Sequence, residues 1–81
     1  MPSERFIIRG DLGAATFVPW VLRHMAKLGL TGGFGTTEAM QAELHVAGPS
    51  DLIDALEMGV SLGPIESWVE SIERSPLNRA A

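Results

Sequence analysis

At 81 residues the chain has room for one domain with a single core, and 46% hydrophobic against 20% charged residues excludes wholesale disorder. A net charge of −4, with no window rich in Lys or Arg, excludes the basic track that nucleic-acid binding needs. With no cysteine, disulfides and thiolate metal sites are excluded as well.

The N-terminus, Met1-Pro2-Ser3-Glu4-Arg5, lacks the basic-then-apolar order of a signal peptide. The longest nearly apolar run, Leu12 to Leu22, is too short to span a bilayer and contains Pro19. The expectation is a cytoplasmic protein without membrane association.

Arg5 to Gly10 alternates and predicts a first strand, with Phe6 and Ile8 inward and Arg5, Ile7 and Arg9 outward. A loop of small residues follows, then a helix from Phe17 to about Lys27 or Leu28. Thr16 is its expected N-cap, and Pro19 falls in the first turn, where a missing N–H costs little. Phe17, Val21, Met25 and Leu28 form the inner stripe, flanked by Trp20 and Leu22. Arg23, His24 and Lys27 suit the negative end of the dipole, and Gly29 stops the helix.

Thr31 to Thr37 predicts a weak second strand, because Gly32, Gly33 and Gly35 leave Phe34 as the one large side chain. A hairpin turn is expected at Thr36-Thr37-Glu38-Ala39. Met40 to Ala47 then alternates, with Met40, Ala42, Leu44 and Val46 on one face and Gln41, Glu43 and His45 on the other. His45 has no second histidine or carboxylate at metal-ligand spacing, so it is read as a surface residue and no metal site is expected.

Gly48-Pro49-Ser50-Asp51 opens a second helix with Pro49 at its first position. Leu52, Ile53, Leu56 and Val60 form its inner stripe, and Asp54 and Glu57 a solvated acidic face, until Gly59 and Gly63-Pro64 end it. Ile65 to Glu73 predicts the last strand. Its phase stays open between Trp68, Glu70 and Ile72 on one side and Ser67, Val69 and Ser71 on the other. The ordered core is expected over 5–74, with 75–81 a frayed tail.

The order βαββαβ at this length predicts an α+β, ferredoxin-like sandwich, a four-stranded antiparallel sheet with two helices on one face. Phe6, Ile8, Val21, Met25, Leu28, Leu44, Val46, Leu52 and Leu56 are its expected core.

The stretch Gly10-Asp11-Leu12-Gly13-Ala14-Ala15-Thr16-Phe17-Val18-Pro19 links strand to helix. Such a loop either aims several N–H groups at one point, where an anion is held, or only lets the chain turn tightly over its core. Gly10, Phe17, Pro19, Ala26, Leu28-Gly29-Leu30 and Gly32, with Glu43, Gly48-Pro49, Gly63-Pro64 and Trp68, resemble the acylphosphatase family over nearly the whole chain. Its signature is G-x-V-Q-G-V-G-F-R on a strand, loop and helix start, then a helix ending A-x-x-L-G-L, then G-W-V-R-N. The family's fold is the ferredoxin-like sandwich.

The resemblance implies a phosphate cradle made of loop amides and the closing arginine, with the asparagine of the next strand positioning the attacking water. In this chain the arginine position is Val18 and the asparagine position Thr36. The loop glutamine and two glycines become Gly13, Ala14 and Thr16, while Gly33 and Gly35 replace the tryptophan and arginine of the second strand. No family catalytic side chain is intact. Valine offers neither charge nor donor, and Asp11 adds a negative charge beside the loop.

Two functions follow. One is a catalytically impaired domain that acts as a binding module for a protein or a small anion, phosphate or acyl phosphate, on the amides of Gly13, Ala14, Ala15, Thr16 and Phe17. The other is an acylphosphatase with a non-standard site, in which Arg9 or Arg23 takes over from the missing arginine. Neither requires a cofactor.

Overall fold

The computed structural model describes residues 2–63 and 67–77. Among these residues six elements follow one another: β1 (Ser3–Asp11), α1 (Phe17–Lys27), β2 (Thr31–Thr37), β3 (Gln41–Ala47), α2 (Ser50–Leu62) and β4 (Trp68–Pro76). The sheet order is β2-β3-β1-β4 with every neighbouring pair antiparallel. β1 and β3, the two strands with the clearest alternation, hold the centre.

Alternation sets the register as expected. Phe6 pairs Leu44 and Ile8 pairs Ala42 on the inner face, while Ile7 and Glu43 meet on the outer one. Both helices bury their stripes against that inner face, and Phe17, Val21, Ile53, Leu56 and Val60 lose all contact with solvent. Each such side chain contributes about 1.5–3 kcal/mol on leaving water. Leu28 and Leu52, expected inside, stand half-buried at the margin, and Leu12 and Leu30 complete the core in their place.

The hairpin departs from expectation. β2 runs through Thr37, so the turn is 38–40, closed by the Glu38 N–H donating to the Gln41 carbonyl at 2.8 Å. Met40 therefore lies in the turn, 66% exposed, rather than inside. The extra length is absorbed between Phe34 and Thr37, where Gly35 and Thr36 together span the place of one paired residue.

β4 holds a second irregularity, and it explains the open phase. Ser71 pairs Arg9 but Val69 pairs Gly10, so Glu70 is bulged out of the ladder. Val69 and Ile72, three apart and of opposite parity, thereby both pack on the core. The strand begins at Trp68 and continues through Pro76, with the Leu77 N–H donating to the Ser3 carbonyl at 2.9 Å. The expected start at Ile65 and most of the expected tail, 78–81, lie outside the described residues. Ser75 and Pro76, however, belong to the sheet.

α2 starts one residue later than expected, with Pro49 as its N-cap, and runs through Gly59 to Leu62. Gly59 lies where the helices meet: a Cβ there would stand 2.4 Å from His24 Nε2 on α1. Nor is the acidic face of α2 merely solvated. Arg74 of β4 donates from Nη1 to Asp54 Oδ1 at 2.8 Å and to Glu57 Oε1 at 2.7 Å. It donates from Nε and Nη2 to the two Glu4 oxygens at 2.7 Å each, and its guanidinium carbon lies 5.4 Å from the Phe6 ring centroid. One cation thus ties β1, β4 and α2 together.

The Arg74 hydrogen bond holds the Glu4 carboxyl below its ordinary value, against the opposing effect of partial burial. A depressed carboxyl contributes stability that is complete above its unfolded pKa and is lost as pH falls through the folded one. Melting temperature is therefore expected to drop as pH falls below about 4.5. Arg74→Met should flatten that limb and cost about 2 kcal/mol at neutral pH, since it leaves Glu4, Asp54 and Glu57 unneutralised together. Thermal melts of both proteins across acidic and neutral pH check it; parallel curves would show that Glu4 is not the coupled group.

Candidate functional site

The loop between β1 and α1 is anchored from three sides. The Gly10 N–H donates to the Met40 carbonyl at 3.1 Å and the Leu12 N–H to the Ala39 carbonyl at 2.8 Å, fastening the end of β1 to the hairpin. Buried Leu12 pins the loop to the core. Phe17 and Phe34 meet edge to face with centroids 6.1 Å apart, so the first turn of α1 stands over the middle of β2. Val18 and Thr36 are thereby carried by the two elements that this contact joins. Val18 is half-buried against the core and Thr36 is exposed.

The backbone of the loop decides what it can hold. No residue from Asp11 to Leu28 has positive φ. The alternating right- and left-handed pair that makes a concave N–H nest is therefore absent from this loop. Ala14 and Thr16 fit this shape, because residues with a Cβ seldom enter the left-handed region. The Phe17 N–H, expected as an anion donor, is committed to the Ala14 carbonyl at 3.1 Å. Gly13, Ala14, Ala15 and Thr16 stand at the positive end of α1, whose first turn has no acidic residue. Thr16 takes the N-cap position in helical rather than extended dihedrals, its carbonyl accepting the Trp20 N–H at 3.0 Å. Asp11 Oδ1 lies 4.0 Å from where a Gly13 Cβ would be, so a carboxylate sits beside the loop.

The two arginines expected as substitutes sit on the elements that flank the loop, Arg9 on β1 and Arg23 on α1. Arg9 lies on the outer sheet face, ion-paired with Glu73 and donating from Nε to Gln41 Oε1 at 3.3 Å. Arg23 is exposed on α1 and, with Trp20, His24 and Lys27, borders a depression of about 90 Å³. The Trp20 and His24 rings stack there at 5.4 Å. Also on the outer face, His45 is exposed as expected, but Glu43, two residues away, bonds its Nε2 at 2.7 Å and lies 3.9 Å from Arg5. Among the described residues no group of three or more His, Asp or Glu is placed to hold a metal ion. Among them too, no helix is long and apolar enough to cross a membrane.

Arg74 was not singled out by sequence reasoning. The available signal was an arginine in phase with inward Ile72, facing a helix whose Asp54 and Glu57 had no cation of their own. A groove of about 460 Å³ beside it, between α2 and β4, was likewise not foreseen.

No protein-family model matches the chain. The acylphosphatase of Caldivirga maquilingensis is 32% identical over 73 residues, 89% of this chain and 77% of the relative. Among solved structures, the acylphosphatase of Bacillus subtilis superposes with a TM-score of 0.87 at 21% identity, covering 99% of this chain and 89% of that one. Full-length HypF, crystallised in a phosphate- and nucleotide-bound form, superposes with a TM-score of 0.82 at 19% identity over 96% of this chain but 10% of its own. At those identities the two structures establish the fold, and the 32% relative establishes the kinship.

Proposed function

Because this chain belongs to the acylphosphatase family, we propose that it is a member that no longer runs the family's reaction efficiently and serves as a binding module. The observation that carries this is the loop between β1 and α1. Val18 occupies the arginine position half-buried among apolar neighbours, and the backbone that should cradle phosphate has no left-handed residue. An acyl phosphate brings negative charge that must be neutralised and a water that must be oriented. Val18 supplies no charge, Thr36 no amide, and Asp11 opposes the ligand. Arg9 spends its guanidinium on Glu73 and Gln41, which argues against its acting as a substitute.

A role as a module also agrees with the superposition on a small part of HypF, where the same fold is one portion of a much larger chain. The acidic surface favours a protein or a small molecule over a polyanion, and the absence of cysteine suits a reducing cytoplasm.

What the loop keeps is the positive end of α1, and a weak anion site at Gly13, Ala14, Ala15 and Thr16 is part of this proposal. Titration with inorganic phosphate, followed by backbone amide NMR shifts, tests it. The expected response is confined to 13–16, needs millimolar phosphate, and strengthens in Asp11→Asn. Saturation at micromolar phosphate would reveal a formed cradle and overturn the reading of an impaired site. No response at all would leave binding of partners other than anions.

A further inference from the structure

We propose that the groove between α2 and β4 takes an extended, basic amphipathic segment of a partner protein, which adds to the free edge of β4. This inference rests on the reading of the chain as a binding module and gives that module a partner chemistry.

The groove, about 460 Å³, is lined by Asp54, Glu57, Met58, Ser61, Leu62 and Arg74. Met58 and Leu62 are 69% and 83% exposed. A single exposed apolar side chain is ordinary, but two that stand one turn apart and border the same groove form a surface to be covered. β4 ends the sheet order, so among the described residues the backbone groups on its outer side have no neighbouring strand. The bulge at Glu70 and Pro76, which has no N–H, bound the regular part of that edge to Ser71–Ser75. That is the length of a short recognition segment.

Spacing fits an extended occupant. Four residues of α2 separate Met58 from Leu62 by about 6 Å along the helix axis. Alternate residues of a strand stand about 6.8 Å apart. A strand laid along β4 can therefore place successive same-face side chains over Met58 and Leu62 while its backbone pairs outward groups of Ser71–Ser75.

Charge selects the sign of the segment. Glu4, Asp54 and Glu57 all converge on Arg74, three carboxylates on one guanidinium, which leaves two negative charges uncompensated within the cluster. The Asp54 side chain is 68% exposed at the groove. A lysine or arginine alternating with apolar residues would meet Asp54 and Glu57 with its head and Met58 with its stem. An acidic segment would be repelled by the same groups.

The test is NMR titration of the natural chain with two ten-residue peptides, one alternating lysine with valine, the other alternating glutamate with valine. With the lysine peptide, amide shifts are expected at 58–62 and 71–75, together with slowed hydrogen exchange at 71–75. Leu62→Ser changes an exposed side chain, and Asp54→Asn removes the most exposed of three carboxylates on Arg74 while Glu4 and Glu57 keep it paired, so melting temperature should change little while Kd rises about tenfold in each. Equal binding of the glutamate peptide, shifts elsewhere or scattered, no added protection at 71–75, or an unchanged Kd in both variants would each overturn the proposal. Acyl-phosphate turnover on the same sample keeps the two readings apart. Efficient turnover with groove binding would overturn the impaired-site reading alone; absent groove binding without turnover would overturn the groove alone.

Discussion

Val18→Arg combined with Thr36→Asn is expected to raise hydrolysis of a simple acyl phosphate by at least about 10²-fold over the natural chain, whose own turnover should be close to background. Each substitution returns what its position lacks: a planar cation that meets two phosphate oxygens at once, and an amide that can hold a water in line. Position 18 is half-buried on the first turn of α1, where an arginine stem can follow the apolar surface while its head reaches the loop. The gain should nevertheless stop short of full activity, because the loop still has no left-handed residue to turn its amides inward. Adding Ala14→Gly and Thr16→Gly should raise the rate further, since glycine enters that region freely. The measurement is steady-state hydrolysis of the natural, double and quadruple proteins, with melting temperature as the control on folding. If the natural chain already matches the double variant, another group has replaced the missing arginine. Replacing Arg9 and Arg23 one at a time would then show which one, as a loss of rate without loss of fold.

The fold was legible because it is written in periodicity. Phe6 and Ile8 alternate with charged neighbours, Phe17, Val21 and Met25 recur at helical spacing, and Leu44 and Val46 sit in a clean strand. What escaped was local irregularity. A bulge shifts the phase of a strand by one residue, so Val69 and Ile72 contradict each other in sequence although both face the core. The hairpin slipped for the same reason, with Gly35 and Thr36 spanning one place in the ladder and carrying the turn past Thr37. Long-range charge pairing was also invisible. Asp54 and Glu57 read as a solvated face because their cation, Arg74, comes 17 residues after Glu57 and from a different element. At the candidate site, the sequence reported which side chains stand at 18 and 36, whereas the conformation of the loop between β1 and α1 emerged only with the backbone.

Gly10→Val is expected to be among the most destabilising single substitutions in the chain, at about 3 kcal/mol or more. Gly10 has φ of +152°, outside the range that residues with a Cβ adopt readily. A Cβ built there would stand 2.0 Å from the Trp68 carbonyl oxygen and 2.9 Å from the Glu70 nitrogen, both backbone atoms. Neither can move aside as a side-chain tip can, so the β1–β4 bulge would have to open or β4 slide. Sliding by one residue would break the pairing of Ile72 with Ile8 and draw Arg74 from the carboxylates it joins. The effect should also reach the loop, because the Gly10 N–H donates one of the bonds that fasten the end of β1 to the hairpin turn. Gly33→Val is the matched control. It too replaces a strand glycine, but its φ lies outside the left-handed range and no heavy atom lies within 4 Å of its built Cβ. There the β-branched side chain should be neutral or slightly stabilising, because it restricts the unfolded chain more than glycine does. Urea unfolding of the two variants measures both effects. Equal midpoints would show that the bulge accommodates a side chain at residue 10, and that the close approach to Trp68 is not what demands glycine there.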